Sequence, residues 1–281
     1  MYQEYFGLKK MPFSLAPDPA FLYLCRQYTE VISFMLYGIR ERKGFLEITG
    51  EIGTGKTTLC RAVLNSLDPH TKSAYIFNSD LSEFELLKTI ARDLGILGGE
   101  TSKWDIINAL NNFLLGQLEA GNNVVIIIDE AQNLKPEVLE QIRLLSNLET
   151  DQEKLLQIVL VGQPQLRAKL ASPSLAQLRQ RISIRYHLNP LSKGETEGYI
   201  EHRLRVAGSR GSVLFEGAAV DGIYAFSRGI PRMINVVGDK ALLAAFVLER
   251  RRVTAKMVKA GIDEIEGRCT LDRKSLMALM K

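Results

Sequence analysis

One eight-residue motif constrains the fold of this chain more than any other part of its sequence. Residues 50–57, Gly-Glu-Ile-Gly-Thr-Gly-Lys-Thr, match the pattern G-x-x-x-x-G-K-[ST] at every fixed position. A short, mostly apolar run, residues 45–49, precedes the motif, and we predict a helix from Lys56 to about Leu67. In this context a glycine-rich turn directs backbone N–H groups and a helix N-terminus towards a phosphate. The motif therefore predicts an α/β fold with a phosphate-binding loop between a strand and a helix.

The motif also suggests ligands and side-chain roles. Lys56 is a candidate to contact the β- and γ-phosphates of a nucleoside triphosphate, and the Thr57 hydroxyl is a candidate ligand of Mg²⁺. A chance glycine-rich turn is the alternative, and the flanking strand and helix argue against it. We therefore predict ATP and Mg²⁺ as ligands, bound by Gly50, Glu51, Ile52, Gly53, Thr54, Gly55, Lys56, Thr57 and Thr58.

Two carboxylates follow a second predicted strand. Residues 124–128 are uniformly apolar and β-branched, which is typical of a strand buried on both faces of a parallel sheet. Asp129 and Glu130 come directly after it, at the strand end that faces the ligand crevice in a doubly wound sheet. Asp129 is a candidate to hold the metal, and Glu130 to orient or deprotonate the attacking water. A strand that simply ends in a polar turn is the alternative, but the upstream phosphate loop favours ATP hydrolysis.

Strands and helices alternate as far as about residue 190. Residues 156–161 are predicted to form a buried strand, and the alternation of Ile184, Tyr186 and Leu188 predicts an edge strand. This order predicts a doubly wound parallel sheet. Only helices are predicted afterwards, at roughly 193–206, 216–227, 231–248 and 254–265. The expected organisation is a nucleotide-binding domain (1–190), a small all-helical lid domain (191–266) and a C-terminal tail (267–281).

Composition excludes several classes of protein. The chain is 46% hydrophobic and 24% charged with a net charge of +4, so it is globular and permits an anionic partner without requiring one. Cys25, Cys60 and Cys269 are too widely spaced for a disulfide framework or zinc site and are expected to be reduced. Trp104 and Phe113 are predicted to pack in the core. Neither a signal peptide nor a transmembrane segment is indicated, which favours a cytoplasmic location, at most peripheral to the inner membrane.

Five further segments carry family-specific signal. They are residues 5–19, 36–40, 129–132, 160–164 and 229–235. Together with the phosphate loop they resemble the AAA+ superfamily, and within it the ATPases of the general secretion pathway protein A type. That group is related to the target-selection ATPases of some transposons. The resemblance covers roughly residues 1–266 and implies an AAA+ nucleotide-binding domain with a helical lid.

The resemblance implies further catalytic residues. Gln163 takes the sensor-1 position near the γ-phosphate, and Arg232 takes the sensor-2 position in the lid. Residues 178–182 resemble the segment that carries an arginine finger, with Arg181 favoured and Arg179 as the alternative. A finger stabilises the transferring phosphoryl group in a neighbouring subunit, so a ring or helical homo-oligomer is implied. For these arginines, solvated helix ends are the alternative.

Two functions remain open from the sequence. The first is an oligomeric ATPase that powers or regulates assembly of a secretion apparatus, with an inner-membrane component as partner. The second is an ATP-dependent DNA-binding regulator, which the basic segment 249–259 and Arg203, Arg205 and Arg210 support. A nucleotide-gated scaffold is a third, weaker option, against which Asp129 and Glu130 argue. Secretion-type relatives commonly continue into a membrane span and a periplasmic part, and this chain is expected to be the cytoplasmic ATPase module.

Overall fold

The computed structural model describes residues 2–77, 81–96, 102–149 and 153–268. These residues form two compact units. The sheet unit comprises Arg26–Glu51 and Lys56–Leu188, and the helical unit comprises the described residues of Met1–Cys25, Ile52–Gly55 and Asn189–Lys281. Asn78, which was predicted to end a strand, and Cys269 lie outside the described residues, as does the predicted tail beyond residue 268. The domain boundary near residue 190 stays a prediction.

A five-stranded parallel sheet forms the centre of the sheet unit. Its strands are β1 (Phe45–Gly50), β2 (Thr71–Ile76), β3 (Asn123–Ile128), β4 (Gln157–Gly162) and β5 (Ile182–Leu188). They lie in the order β2-β3-β4-β1-β5, and every neighbouring pair is parallel. Every residue from Val124 to Ile128 is buried, so both faces of β3 are covered. The predicted parallel α/β fold is therefore confirmed, and so is the edge position of β5.

The described residues also form helices, several of which begin at a local sequence signal. They are α1 (Tyr2–Tyr5), α2 (Arg26–Arg40), α3 (Lys56–Asn65), α4 (Glu83–Asp93), α5 (Lys103–Glu119), α6 (Pro136–Leu145), α7 (Pro164–Leu170), α8 (Ala176–Arg181), α9 (Lys193–Val206), α10 (Gly217–Ser227), α11 (Pro231–Val247) and α12 (Ala255–Ile265). Ser82 and Ser192 form capping boxes at the starts of α4 and α9. Proline, whose missing N–H is tolerated in a first helical turn, is the first residue of α6 and α11.

The two aromatic residues of α5 lie in different surroundings. Phe113 is partly buried against the core of the sheet unit, as expected. Trp104 is 72% exposed, so its predicted place in the core was wrong. The buried residues of α5 are Ile106, Leu110 and Leu114. At about 100° per residue, Trp104 lies about 120° around the helix from the middle of this buried stripe and is therefore outside it.

The helical unit contains α1, α9, α10, α11 and α12. It also contains two short parallel strands, β6 (Leu214–Phe215) and β7 (Arg252–Val253), so the prediction of helices alone was wrong here. The N-terminal segment packs in this unit around Arg203, which is 6% exposed and donates to the carbonyl oxygens of Pro12 and Ser14. This burial removes Arg203 from the candidate contacts to DNA. Among the described residues, no helix combines the length and apolar character needed to cross a bilayer.

Candidate active site

The predicted phosphate loop joins β1 to α3. Gly53 and Gly55 have φ angles of +84° and +88°, a region that glycine adopts without steric cost. A Cβ atom on Gly53 would lie 2.7 Å from the Cβ of Arg232, so a side chain has no room there. The Gly53 carbonyl accepts a hydrogen bond of 3.1 Å from the backbone N–H of Arg232, and both residues belong to the helical unit. The turn therefore requires glycine for its conformation and for its close neighbour.

Lys56 is the first residue of α3 and is only 5% exposed. Its Nζ atom donates to the carbonyl oxygens of Gly50 at 2.8 Å and Glu51 at 3.0 Å. Burial lowers the pKa of Lys56, while the carboxylates of Glu130 and Asp129 act in the opposite direction. A buried ammonium that neutral carbonyls hold would be stabilised by an anion, because opposite charge offsets its loss of hydration. Lys56 is thus suited to contact a phosphate.

Asp129 follows β3 and is 2% exposed. Its Oδ2 atom accepts hydrogen bonds from the Thr57 hydroxyl at 2.6 Å and the Tyr75 hydroxyl at 2.9 Å. Its Oδ1 atom accepts from the backbone N–H of Glu130 at 2.9 Å. The two predicted metal ligands, Thr57 and Asp129, are therefore in direct contact. This oxygen pair fits Mg²⁺, which takes few protein ligands and keeps several waters.

Tyr75 is a site residue that the sequence reasoning missed. Burial and the neighbouring Asp129 carboxylate raise the pKa of its hydroxyl, which therefore remains a hydrogen-bond donor to Asp129. Tyr75 lies in β2, beside β3 in the sheet. The available signal was its position near the end of a predicted strand, and only the strand order shows which carboxylate it meets.

Glu130 is held by two glutamine amides. Its Oε2 atom accepts from Gln132 Nε2 at 2.6 Å and from Gln163 Nε2 at 3.2 Å. Gln132 Oε1 accepts in turn from the backbone N–H of Gln163 at 3.0 Å. A Cβ atom on Gly162 would lie 2.7 Å from Gln132 Oε1, so the absence of a side chain there makes room for the amide. The structure thus joins Gln163 to Glu130 and adds Gln132, which was not among the predicted site residues.

Glu130 also has an unusual backbone conformation. Its φ of +52° lies in the left-handed region, which a non-glycine residue adopts at an energetic cost. Such conformations cluster at functional sites, where contacts with the surrounding structure offset their energetic cost. The two amides that contact its carboxylate are part of that surrounding structure.

The remaining loop residues differ in exposure. Thr54 is fully buried, whereas Ile52 is 59% exposed. Glu51 is also exposed, and Thr58 on α3 is half-buried. Because Glu51 is anionic, Ile52 is apolar and Thr54 is buried, the candidate phosphate contacts of the loop are its backbone N–H groups and Lys56.

The predicted finger arginines lie at the end of α8. Arg181 is half-buried, and its Nη1 atom donates to the Ser146 hydroxyl at 2.7 Å and to the Arg143 carbonyl at 3.4 Å. Arg179 is exposed, and no side-chain hydrogen bond or ion pair of Arg179 exists within the described residues. Neither arginine contacts Asp129 or Glu130 in this part of the chain. Arg232 is exposed in the first turn of α11, as Pro231 predicted.

Comparison with known proteins places this geometry in a family. Residues 39–170 match the family of AAA domains. General secretion pathway protein A of Aeromonas hydrophila is 41% identical over 268 residues, covering 95% of this chain and 49% of that protein. The chain therefore spans about half the length of this curated relative.

Two solved structures show the same fold at low sequence identity. The ORC2 protein of Aeropyrum pernix, solved in ADPNP–ADP complexes, is similar with a TM-score of 0.69 and 18% identity, covering 91% of this chain and 72% of that chain. The RuvB Holliday junction branch migration motor of Thermotoga maritima has a TM-score of 0.57 and 19% identity, covering 84% and 68%. The resemblance and fold class predicted from the sequence are therefore confirmed. The chain is an AAA-domain protein with the AAA+ fold, homologous to general secretion pathway protein A.

Proposed function

We propose that this protein binds ATP with Mg²⁺ and hydrolyses it. The observation that carries the proposal is the cluster at the carboxyl ends of β1, β3 and β4. There a buried Lys56, the hydrogen-bonded pair Thr57 and Asp129, and an amide-held Glu130 follow neighbouring parallel strands. Ligands of doubly wound sheets bind at this edge. An AAA domain in the same residues supports nucleotide as the ligand.

Each residue has a separate task in this proposal. The backbone N–H groups of residues 50–57 and the Lys56 ammonium bind the phosphates, while Thr57 and Asp129 hold Mg²⁺, which offsets phosphate charge when bound. Glu130 orients the attacking water and accepts its proton. Gln163 senses the γ-phosphate.

Residues beyond this cluster complete the proposed site. Arg232 supplies the sensor-2 cation from a lid domain over residues 191–266, and residues 1–190 form the nucleotide-binding domain. Arg181 or Arg179 serves a neighbouring subunit of a homo-oligomer. The exposure of Arg179 supports Arg179 as the finger, because an exposed guanidinium can reach a neighbouring subunit. The hydrogen bond of Arg181 to Ser146 supports Arg181 instead, because it fixes the position of the guanidinium.

The biological role we propose is assembly or regulation of a secretion apparatus at the inner membrane. Its support is the identity of 41% to general secretion pathway protein A, of which this chain covers about half. An inner-membrane component of that apparatus is the proposed partner, and the cytoplasmic face of the membrane is the proposed location.

The test is steady-state ATP hydrolysis by the wild-type protein and by Glu130→Gln. The variant should keep ATP binding and lose at least about a hundredfold in kcat, because it removes the base and leaves the phosphate contacts. Glu137→Gln is the matched control, since Glu137 is an exposed carboxylate on α6. Near-normal turnover by Glu130→Gln would refute the assigned role.

A second function, ATP-dependent regulation on DNA, rests on the basic segment 249–259. The same assay discriminates it when duplex DNA is added across a salt series. Stimulation that falls steeply with salt would indicate phosphate contacts and favour the DNA regulator. A rate of hydrolysis that does not change when DNA is added would favour the secretion role.

A further inference from the structure

A cation-rich surface in the helical unit uses none of the residues assigned to nucleotide chemistry. Between Arg250 and Ile262 the sequence has five cations and no carboxylate. Arg250, Arg251 and Arg252 are exposed and lead into and along the short strand β7. So dense a run of like charge raises the free energy of the folded chain unless an anion approaches it.

Other parts of the unit add charge to the same place. The Arg251 Nη1 atom donates to the Ser212 carbonyl at 3.4 Å, and the Leu214 N–H donates to the Arg251 carbonyl at 3.1 Å. The turn before β6 therefore lies against β7. The Lys9 N–H donates to the Ala207 carbonyl at 2.7 Å, at the start of the connection 207–213 that leads from α9 to β6. We call the resulting set the basic surface: Lys9, Arg210, Arg250, Arg251 and Arg252.

The cations of the basic surface are exposed. Within the described residues none of the five forms an ion pair. The Arg251 guanidinium lies over the Tyr5 ring, 5.1 Å from its centroid. Glu4, Glu216 and Glu249 are the carboxylates nearest to these five cations in sequence, so cations remain in excess. An anionic partner would therefore gain favourable charge contacts without displacing an ion pair between described residues.

Apolar side chains accompany this charge. Leu214 is 53% exposed and is the cross-strand partner of Arg252. Met11 is 45% exposed and lies two residues after Lys9. Phosphates of duplex DNA offer no apolar surface to such side chains, whereas a bilayer presents anionic headgroups above hydrocarbon. We propose that the basic surface docks on an anionic phospholipid bilayer, with its cations at the headgroups and Leu214 inserted between lipids.

The test is co-sedimentation of the full chain with phosphatidylglycerol–phosphatidylcholine vesicles and with vesicles of phosphatidylcholine alone. Binding should require phosphatidylglycerol and weaken as salt rises. Arg250→Glu with Arg252→Glu should lower the partition coefficient at least about twenty-five-fold, since each cation near such a surface contributes about fivefold. Lys88→Glu with Arg92→Glu, at exposed positions of α4, makes the same change in net charge and should leave binding within about twofold of wild type.

A second variant distinguishes the two candidate partners of the basic surface, an anionic bilayer and duplex DNA. Leu214→Ser keeps every charge and should weaken vesicle binding severalfold without changing any binding to duplex DNA. Equal binding to both vesicle types, or equal losses in the two double variants, would overturn the proposal. The proposal would also be overturned if the protein bound duplex DNA through Arg250 and Arg252 but did not bind vesicles. That result would identify a nucleic-acid surface instead.

Discussion

Replacing Lys56 by methionine tests the proposed phosphate site through stability as well as binding. The lysine is 5% exposed, and burial lowers its pKa. A lysine with a lowered folded-state pKa binds its proton less tightly when folded, so its charge disfavours the unliganded fold at neutral pH. Methionine keeps the length and helix propensity of the side chain without that charge. Methionine also lacks the two hydrogen bonds that Lys56 donates to the Gly50 and Glu51 carbonyls, and this loss opposes the gain from removing the charge. The unliganded Lys56→Met protein should therefore melt within a few degrees of the wild type.

Nucleotide should separate the melting temperatures of the two proteins. A ligand at one hundred times its Kd stabilises a protein by about 2.7 kcal/mol, which corresponds to a Tm increase of about 5 °C in a chain of this size. A hydrogen bond to a charged group contributes about 1.5–3 kcal/mol, and Lys56 is expected to contact two phosphates. Its loss should weaken binding a hundredfold or more. At the same ligand concentration, the variant should then gain about 1 °C or less.

The assay is thermal unfolding with and without a non-hydrolysable ATP analogue and Mg²⁺. Lys88→Met is the matched control, because Lys88 is an exposed lysine on another helix of the sheet unit, α4. That control should keep the full nucleotide-dependent shift. A wild-type shift in Lys56→Met would refute the phosphate contact. A large loss of unliganded stability in the same variant would refute the reasoning about its buried charge.

Three further predictions concern neighbouring features of the sheet unit. Gln132→Ala should lower kcat about tenfold or more with little change in KM, since one hydrogen bond to the Glu130 carboxylate is lost; a change confined to KM would contradict this positioning role. Arg181→Ala should lose hydrolysis and regain part of it when mixed with the Lys56→Met protein if the finger acts between subunits; if only Arg179→Ala behaves so, Arg179 is the finger. Burial raises the pKa of Glu47 despite Arg185 at 3.3 Å, so the folded state binds this proton more tightly. The Tm of Glu47→Gln relative to wild type should therefore rise as pH increases from about 4.5 through the folded-state pKa, and a falling difference would contradict this.

Sequence patterns were most successful where the signal is local. The phosphate motif lies between β1 and α3 as predicted, and the capping boxes and first-turn prolines begin helices at the expected residues. Each of these signals acts within a few residues, since a cap or glycine turn satisfies groups of its own backbone. The apolar run before Asp129 likewise predicted a strand buried on both faces.

The errors occurred where neighbours in space decide the outcome. Trp104 is apolar but lies outside the buried side of α5, and composition alone does not show which side that is. The strands β6 and β7 have two residues each, too few for any periodicity to appear. Each exists because the other supplies its hydrogen bonds across a separation of nearly forty residues.

The same distinction explains the candidate site. Local sequence specified the glycine-rich turn, Lys56 at the helix start and two carboxylates after a buried strand, because backbone geometry and burial impose these residue types. The order of the strands in the sheet determined which side chains form hydrogen bonds with those carboxylates. Because β2 and β4 flank β3, Tyr75 donates to Asp129 across 54 positions and Gln163 donates to Glu130 across 33. Hydrogen bonds form between atoms that are close in space, so only the tertiary structure could identify these partners.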